Sequence, residues 1–478
     1  MTRMAGRLRG LWSPLVAIAL AGCTVGPDYH PPELRVDEAW LGPFSGGAID
    51  ATWWRRLEDP LLSELVEEAI AGNKDLQEAA ARLREARAYR DAAHGRELPQ
   101  VAASAVVTQN RLSENGLLPV GKVPGLGRDL AIFDGGFDAS WELDLWGGTE
   151  RGIESAEARA QAAEEARRGV LIQVIGEVVR SYLDMRAAQK LREISLSDAK
   201  AQDGIARLVS ERVRVGLASR GDLVRAETQA HATAATVPLL DADAAAAAFR
   251  LALLLGRPPE ALQYRLRRPG RLPAGGLEIA AGLRSDLLRR RPDIRRAERE
   301  LAASTAEIGV ATAELFPRIS LLGGIGLQAR NSGDLVSGSS LRFQVGPSLR
   351  WPIFSGGRIR AQIRAADARS DAALVRYERT VLEALSDSET AINRYVAAGR
   401  ARSEREAAHA AAGEAVELAR RRYGAGEEDL TALLQTQVAF SSADRQRVQA
   451  HVAELMQFAA VYKALGGGWE SADGLKMR

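Results

Sequence analysis

A single cysteine, Cys23, occurs in 478 residues, so no disulfide within one subunit can brace the fold. The five histidines, His30, His94, His231, His409 and His451, are scattered and form no pair at metal-ligand spacing. No Gly-rich motif of nucleotide-binding form follows a strand, and no nucleophile motif surrounds the serines. These gaps leave nothing for an enzyme or a bound cofactor to be built on. Basic residues number 64 against 62 acidic ones, a formal net charge of +2. No long basic run interleaves with aromatics, which argues against nucleic acid as the main partner. Aromatics make up only 5% of the chain, and alanine supplies much of the 46% that is hydrophobic. That composition suits long helices in close contact better than a compact aromatic core. Long apolar runs are missing too: the nearest, Ala244–Leu255, is broken by Arg250 and falls well short of the ~20 residues of a helical span. A membrane role beyond a lipid anchor must be carried by strands.

What is present begins with a targeting segment. Arg3, Arg7 and Arg9 form a basic start, Leu11–Leu20 is mostly apolar, and Leu20-Ala21-Gly22-Cys23 closes it. An ordinary secretory peptide would carry that Cys by accident. The tetrapeptide instead resembles the bacterial lipobox, after whose cleavage Cys23 is acylated and becomes the first residue. Thr24 follows in place of an inner-membrane-retaining Asp, so outer-membrane sorting is expected. Residues 24–50, with Pro27, Pro31, Pro32 and Pro43, read as an extended tether.

Residues 341–353 alternate strictly. Leu341, Phe343, Val345, Pro347, Leu349, Trp351 and Ile353 fall on one side; Arg342, Gln344, Gly346, Ser348 and Arg350 fall on the other. A period of two is a strand with one oily and one wet face. Ser355-Gly356-Gly357 breaks it, and from Arg358 the chain is Ala-rich, charged and Pro-free for roughly 65 residues, a helix of about 100 Å. The same join occurs upstream. Phe137, Ala139, Trp141, Leu143 and Leu145 alternate with Asp138, Ser140, Glu142 and Asp144; Trp146-Gly147-Gly148 intervenes; a helix is predicted from near Thr149 to Val215. Within it Leu171, Ile175, Val178, Tyr182 and Met185 are spaced as a coiled-coil seam. Before the strands, a helix is predicted from Asp59-Pro60 to Leu98-Pro99, then a strand over Val101–Gln109 and a loop from about Asn110 to Gly136. After the turn at Gly216–Gly221, a helix over Asp222–Leu255 should kink at Pro238.

The second half repeats the first. Asp75, Ala79, Leu83 and Pro99 recur as Asp293, Ala297, Leu301 and Pro317, an offset of 218; Ala156, Arg159, Ala163, Arg212, Gly216 and Gly256 recur as Ala366, Arg369, Ala373, Arg422, Gly426 and Gly466, an offset of 210. The difference falls in the strand-to-strand loop. The chain reads as a tandem duplication of helix, strand, loop, strand, long helix, turn and helix, an α+β membrane protein with four transmembrane strands. Residues 1–22 are the leader, 23–50 the lipid-anchored tether, 51–256 the first repeat, 257–280 a linker, 281–466 the second repeat and 467–478 a tail.

Four strands cannot close a barrel, and open edges in lipid cost several kcal/mol per unpaired group. Two chains would give eight strands with a filled interior; three would give twelve and begin to leave a channel. A conduit therefore favours three copies.

Several motifs now carry a resemblance. Thr52-Trp53-Trp54, Asp59-Pro60-Leu61 and Asn73-Lys74-Asp75-Leu76 look like the entry motif of TolC-like outer-membrane efflux proteins. Arg290-Arg291-Pro292-Asp293-Ile294, Phe316-Pro317-Arg318-Ile319, Trp351-Pro352-Ile353-Phe354 and Gly356-Gly357-Arg358 resemble the second-repeat signatures of the lipoprotein branch serving tripartite RND pumps. The resemblance implies a trimer with a twelve-stranded outer-membrane barrel, an α-helical periplasmic tunnel and a mixed α/β belt. It implies a periplasmic membrane-fusion adaptor and an inner-membrane RND-type pump as partners. The turns at Gly216, Leu217, Ala218 and Ser219 and at Gly424 and Gly426 would be periplasmic tips where the adaptor docks. Asp222, Tyr423, Glu428, Asp429 and Gln435 are the aperture candidates. Carboxylates gathered at Asp222 would repel and favour raised pKa values or bound cations, while Gln435 stands where many members place an aspartate. The expected function is a passive exit duct for drugs or other small molecules. A duct for heavy-metal or type I protein secretion has the same fold with other partners. A lipid-anchored coiled-coil scaffold, its strands paired away from lipid, would show no conductance.

Overall fold

The computed structural model describes residues 24–34, 36–41, 47, 49–113 and 127–470. The leader, Cys23 and its lipobox, Pro43 and most of the C-terminal tail lie outside the described residues. The principal elements are α1 (Pro60–Gly72), α2 (Lys74–His94), β1 (Gln100–Arg111), β2 (Asp129–Leu143), α3 (Gly148–Arg214), α4 (Arg220–Ala234), α5 (Thr236–Leu254), α6 (Pro292–Ala313), β3 (Arg318–Ala329), β4 (Leu341–Arg350), α7 (Arg358–Ala425) and α8 (Leu430–Ala464). The two offsets read from sequence recur in the elements. Strands β1 and β3 match end to end at 218, and α4–α5 match α8 at 210. Among the described residues no helix is long and apolar enough to cross a membrane.

The chain forms two compact units. The first takes Arg84–Ala162, Ala297–Tyr377 and the N-terminal segment to Pro32. Its four strands make one antiparallel sheet in the order β1-β2-β3-β4. Strand β2 begins at Asp129, eight residues before the predicted start at Phe137. Gly135 and Gly136 look like loop residues in sequence, but they are paired sheet residues opposite Leu327 and Gly326. A Cβ at Gly136 would meet the Ile325 carbonyl oxygen at 2.5 Å, so glycine serves a close backbone approach here. Strand β4 stops at Arg350, short of the predicted Ile353, because Pro352 offers no N–H to a ladder. The N-terminal segment lies on this unit: Val25 N–H donates to the Trp146 carbonyl at 3.0 Å, and Arg151 donates to Asp28 at 2.5 Å.

The second unit takes Glu33–Leu83, Ala163–Arg296 and the chain from Glu378 onward. Asp59 caps α1, accepting from the N–H groups of Leu61 and Leu62 at 3.0 and 3.2 Å, with Pro60 at the first helical position where no donor is lost. The helix predicted as continuous from Pro60 divides at Asn73. Asn73 is buried and extended; its Nδ2 donates to the Leu254 carbonyl at 2.8 Å and its Oδ1 caps Leu76 N–H at 3.0 Å. A residue that ends one helix, starts the next and pins a third has no periodic signature. Pro238 divides the predicted Asp222–Leu255 helix at Ala235, the point its ring and missing N–H disturb. The seam residues Leu171, Ile175, Val178, Tyr182 and Met185 are all buried in one core with Trp53, Trp54, Leu62, Leu65, Phe458 and Tyr462. Tyr182 donates to Asp59, and burial pushes its hydroxyl pKa upward.

Candidate functional site

Two places in the chain have the build of a working surface: the sheet and the helix-hairpin turns. In the sheet, registry sorts every strand residue to one of two faces. Val101, Ala103, Ala105 and Val107 align with Phe133, Phe137, Ala139 and Trp141, then Leu321 and Ile325, then Phe343, Val345 and Leu349. Along these residues the face is apolar, with Phe343 78% and Val345 71% accessible, and it turns polar only at the loop end, with Gln109, Arg111 and Asp129. The opposite face carries Gln100, Ser104, Thr108, Asp134, Asp138, Glu142, Arg318, Gln328, Arg342, Gln344 and Arg350. An apolar band on one face, backed by a face rich in charge, is the pattern of a lipid-facing wall around a watery interior. Among the described residues the outer edges of β1 and β4 have no strand partner.

Two indoles latch this sheet to the helices before it. Trp141 Nε1 donates to the Glu97 carbonyl at 2.8 Å, and Trp351 Nε1 donates to the Leu315 carbonyl at 3.1 Å. The tryptophans lie 210 apart and the carbonyls 218 apart, so the latch was duplicated with the repeats. Sequence reasoning placed both tryptophans on the apolar face but missed their hydrogen bonds. Their matched offset to two helix ends was the available signal.

At the hairpin turns, Gly216 and Gly426 both adopt φ +79°, a left-handed conformation that glycine takes without Cβ strain. Gly216 N–H reaches the Val213 carbonyl and Leu217 N–H the Arg212 carbonyl; Gly426 reaches Tyr423 and Glu427 reaches Arg422 in the same way. Each is a Schellman motif. Leu217 is 73% exposed. Gly424 lies inside the last turn of α7, which runs to Ala425, so the second turn starts at Gly426.

The aperture candidates separate. Tyr423 is buried with Val209, Leu223, Ala226, Leu430 and Leu433, beneath the Arg212 guanidinium at 4.6 Å from its ring. Within the chain it is a core residue on the packed face of α7. Ser219 caps α4 through a capping box: Asp222 N–H donates to Ser219 Oγ at 3.1 Å, and Asp222 Oδ2 accepts from Ser219 N–H and Oγ at 3.1 and 2.8 Å. These bonds hold the Asp222 carboxyl below its usual range, with Arg225 also favouring the charge. Within one chain the carboxyl is thus lowered, and the raised pKa expected of gathered carboxylates belongs to the assembly. Asp429 caps α8 through Ala432 N–H at 2.8 Å. Glu427 and Glu428 lie 4.0 and 3.8 Å from Arg422, while Gln435 and Ala218 are exposed and half-buried. Among the described residues no cluster of three metal-capable side chains occurs.

The capping box predicts acid sensitivity. Because the folded Asp222 pKa lies below the ordinary 3.8, its stabilisation is complete above that value and is lost as pH falls through the lower folded value. Amide protection factors at residues 217–223 should fall below about pH 4, and Asp222→Asn should weaken protection at neutral pH and remove this dependence.

A family model described as outer membrane efflux protein matches residues 65–257 and 283–467. Nodulation protein T of Rhizobium leguminosarum bv. trifolii is 31% identical over 460 residues, 96% of this chain and 97% of that one. The pyoverdine export outer membrane protein OpmQ of Pseudomonas aeruginosa is 32% identical over 435 residues, 90% of each chain. The solved structure of the outer-membrane channel OprN superposes with a TM-score of 0.86 at 38% identity, covering 94% of this chain and 100% of that one.

Proposed function

Because the chain belongs to the outer membrane efflux protein family, we propose that three copies close one twelve-stranded barrel and form a passive exit duct. The chain is an outer-membrane efflux channel subunit and not an enzyme. The observation that carries the trimeric reading is the two-faced sheet whose two edges are unpaired among the described residues. In lipid each unsatisfied backbone group costs several kcal/mol, so the edges must pair with neighbours. Four strands from each of three copies leave a lumen wide enough for solutes.

On the same reading, Cys23 is the acylated anchor, and the bounds 51–256 and 281–466 enclose the two repeats. A periplasmic membrane-fusion adaptor meets Gly216, Leu217, Ala218, Ser219, Gly424 and Gly426, and an inner-membrane RND-type pump supplies energy and small-molecule cargo. Asp222, Glu428, Asp429 and Gln435 lie close enough to these turns to line the aperture. The experiment is reconstitution of the purified full chain in planar bilayers, with crosslinking in native membranes. Trimers with discrete conductance and captured adaptor and pump are expected. A stable, non-conducting monomer would end the reading.

A further inference from the structure

On the polar face of the sheet one carboxylate is held from two other strands at once. Asp134 on β2 accepts from Gln328 Nε2 on β3 at 2.7 Å. It also accepts from Arg342 on β4 through Nε at 3.0 Å and a terminal nitrogen at 2.5 Å. Arg342 reaches two strands away because its direct cross-strand neighbour is Gly326. Any side chain there would stand between guanidinium and carboxylate. A lone exposed ion pair is worth little, and stability alone does not account for this one. It is bidentate, with a third strand's amide on the same acid and glycine beneath the guanidinium. The polar-face charges of this half of the sheet are Asp134, Asp138 and Arg342. Asp138 accepts from Ser104 Oγ at 3.0 Å, a neutral donor, so the three charges sum to one negative.

We propose that Asp134 and Arg342 are a specificity-determining pair of the duct, a lumenal clasp that withholds the guanidinium from passing solutes and leaves Asp138 to set the sign of the wall. The proposal rests on the trimeric-duct reading, in which the polar face is the lumen. With the clasp closed, each chain presents one net negative charge here, and the segment favours cations over anions. Freeing Arg342 cancels Asp138 and opens the segment to acidic solutes; removing Arg342 leaves two acids and repels them further. The three-fold repetition of the site multiplies each change.

The test is the zero-current potential of full-length channels in planar bilayers under a potassium chloride gradient. Asp134→Asn should lower the cation-to-anion permeability ratio about three-fold, and Arg342→Gln should raise it about three-fold at moderate salt. The double variant should return to the parent value. If the single variants fail to insert, the exchange D134R/R342D must insert and conduct with parental selectivity. A separate variant, Gln344→Cys, tests the lumenal face by itself: a charged, membrane-impermeant thiosulfonate should reduce its conductance and leave the parent chain, Cys23 included, unaffected. Unreactive Gln344→Cys overturns the lumenal reading. A blocked Gln344→Cys beside single variants of unchanged selectivity overturns the clasp, as does failure of the exchanged pair.

Discussion

Trp53→Ala is expected to cost about 3–5 kcal/mol, the upper range for a large-to-small change in a packed core. Trp53 is 1% exposed and lies flat on Tyr462, ring centroids 5.4 Å apart and planes 7° apart. It meets Trp54 and Phe458 edge-on at 6.0 and 6.2 Å. The indole joins the segment before α1 to the far end of α8, two places more than 400 residues apart in sequence. Its Nε1 has no hydrogen-bond partner, so the loss is one of packing and apolar burial, with no polar group newly stranded. The unfolding midpoint of the detergent-solubilised chain should fall steeply. Tyr264→Ala removes a ring that is 88% exposed and should stay within about 0.5 kcal/mol. Equal shifts in the two variants would refute the role given to Trp53.

Gly326→Val is expected to prevent barrel assembly. A Cβ at this position would meet the Gly135 carbonyl oxygen at 2.6 Å and the Gly136 Cα at 2.9 Å, both backbone atoms of the paired strand. Neither can yield without opening the β2–β3 ladder, and an opened ladder in lipid costs several kcal/mol for each freed group. Gly346 supplies the control. It lies on the same polar face, and a Cβ there meets nothing within 4 Å, so Gly346→Val should insert normally. Recovery of protease-resistant, heat-modifiable protein from the outer membrane reads the difference. Normal yields of both variants would remove the steric argument.

Period and offset made the architecture legible before any coordinates. The strict alternation of Leu341–Arg350, the Pro-free run from Arg358 and the buried spacing of Leu171, Ile175 and Val178 all reached the structure as expected. Each is a local pattern whose physical cause repeats every two or every 3.6 residues. The failures involve single residues whose reasons are distant. Gly135 and Gly136 were assigned to a loop, since nothing in their own neighbourhood announces a crowded facing strand. Asn73 looks like an ordinary polar residue until Leu254 lies opposite. Tyr423 lies near a turn, and that position says nothing of the Arg212 and Leu433 that enclose it. Asp134 and Arg342 stand 208 positions apart, joined by registry that alternation alone leaves undetermined.

The two Schellman turns have one backbone and two surfaces. Each ends its helix on a glycine at φ +79° with the same pair of carbonyl contacts, yet the residue after the glycine is Leu217 in one and Glu427 in the other. A visitor gripping main-chain atoms would find two equivalent handles on every chain. One that reads side chains would find an oily handle and an acidic one, and the ratio in which it binds would tell which language it uses.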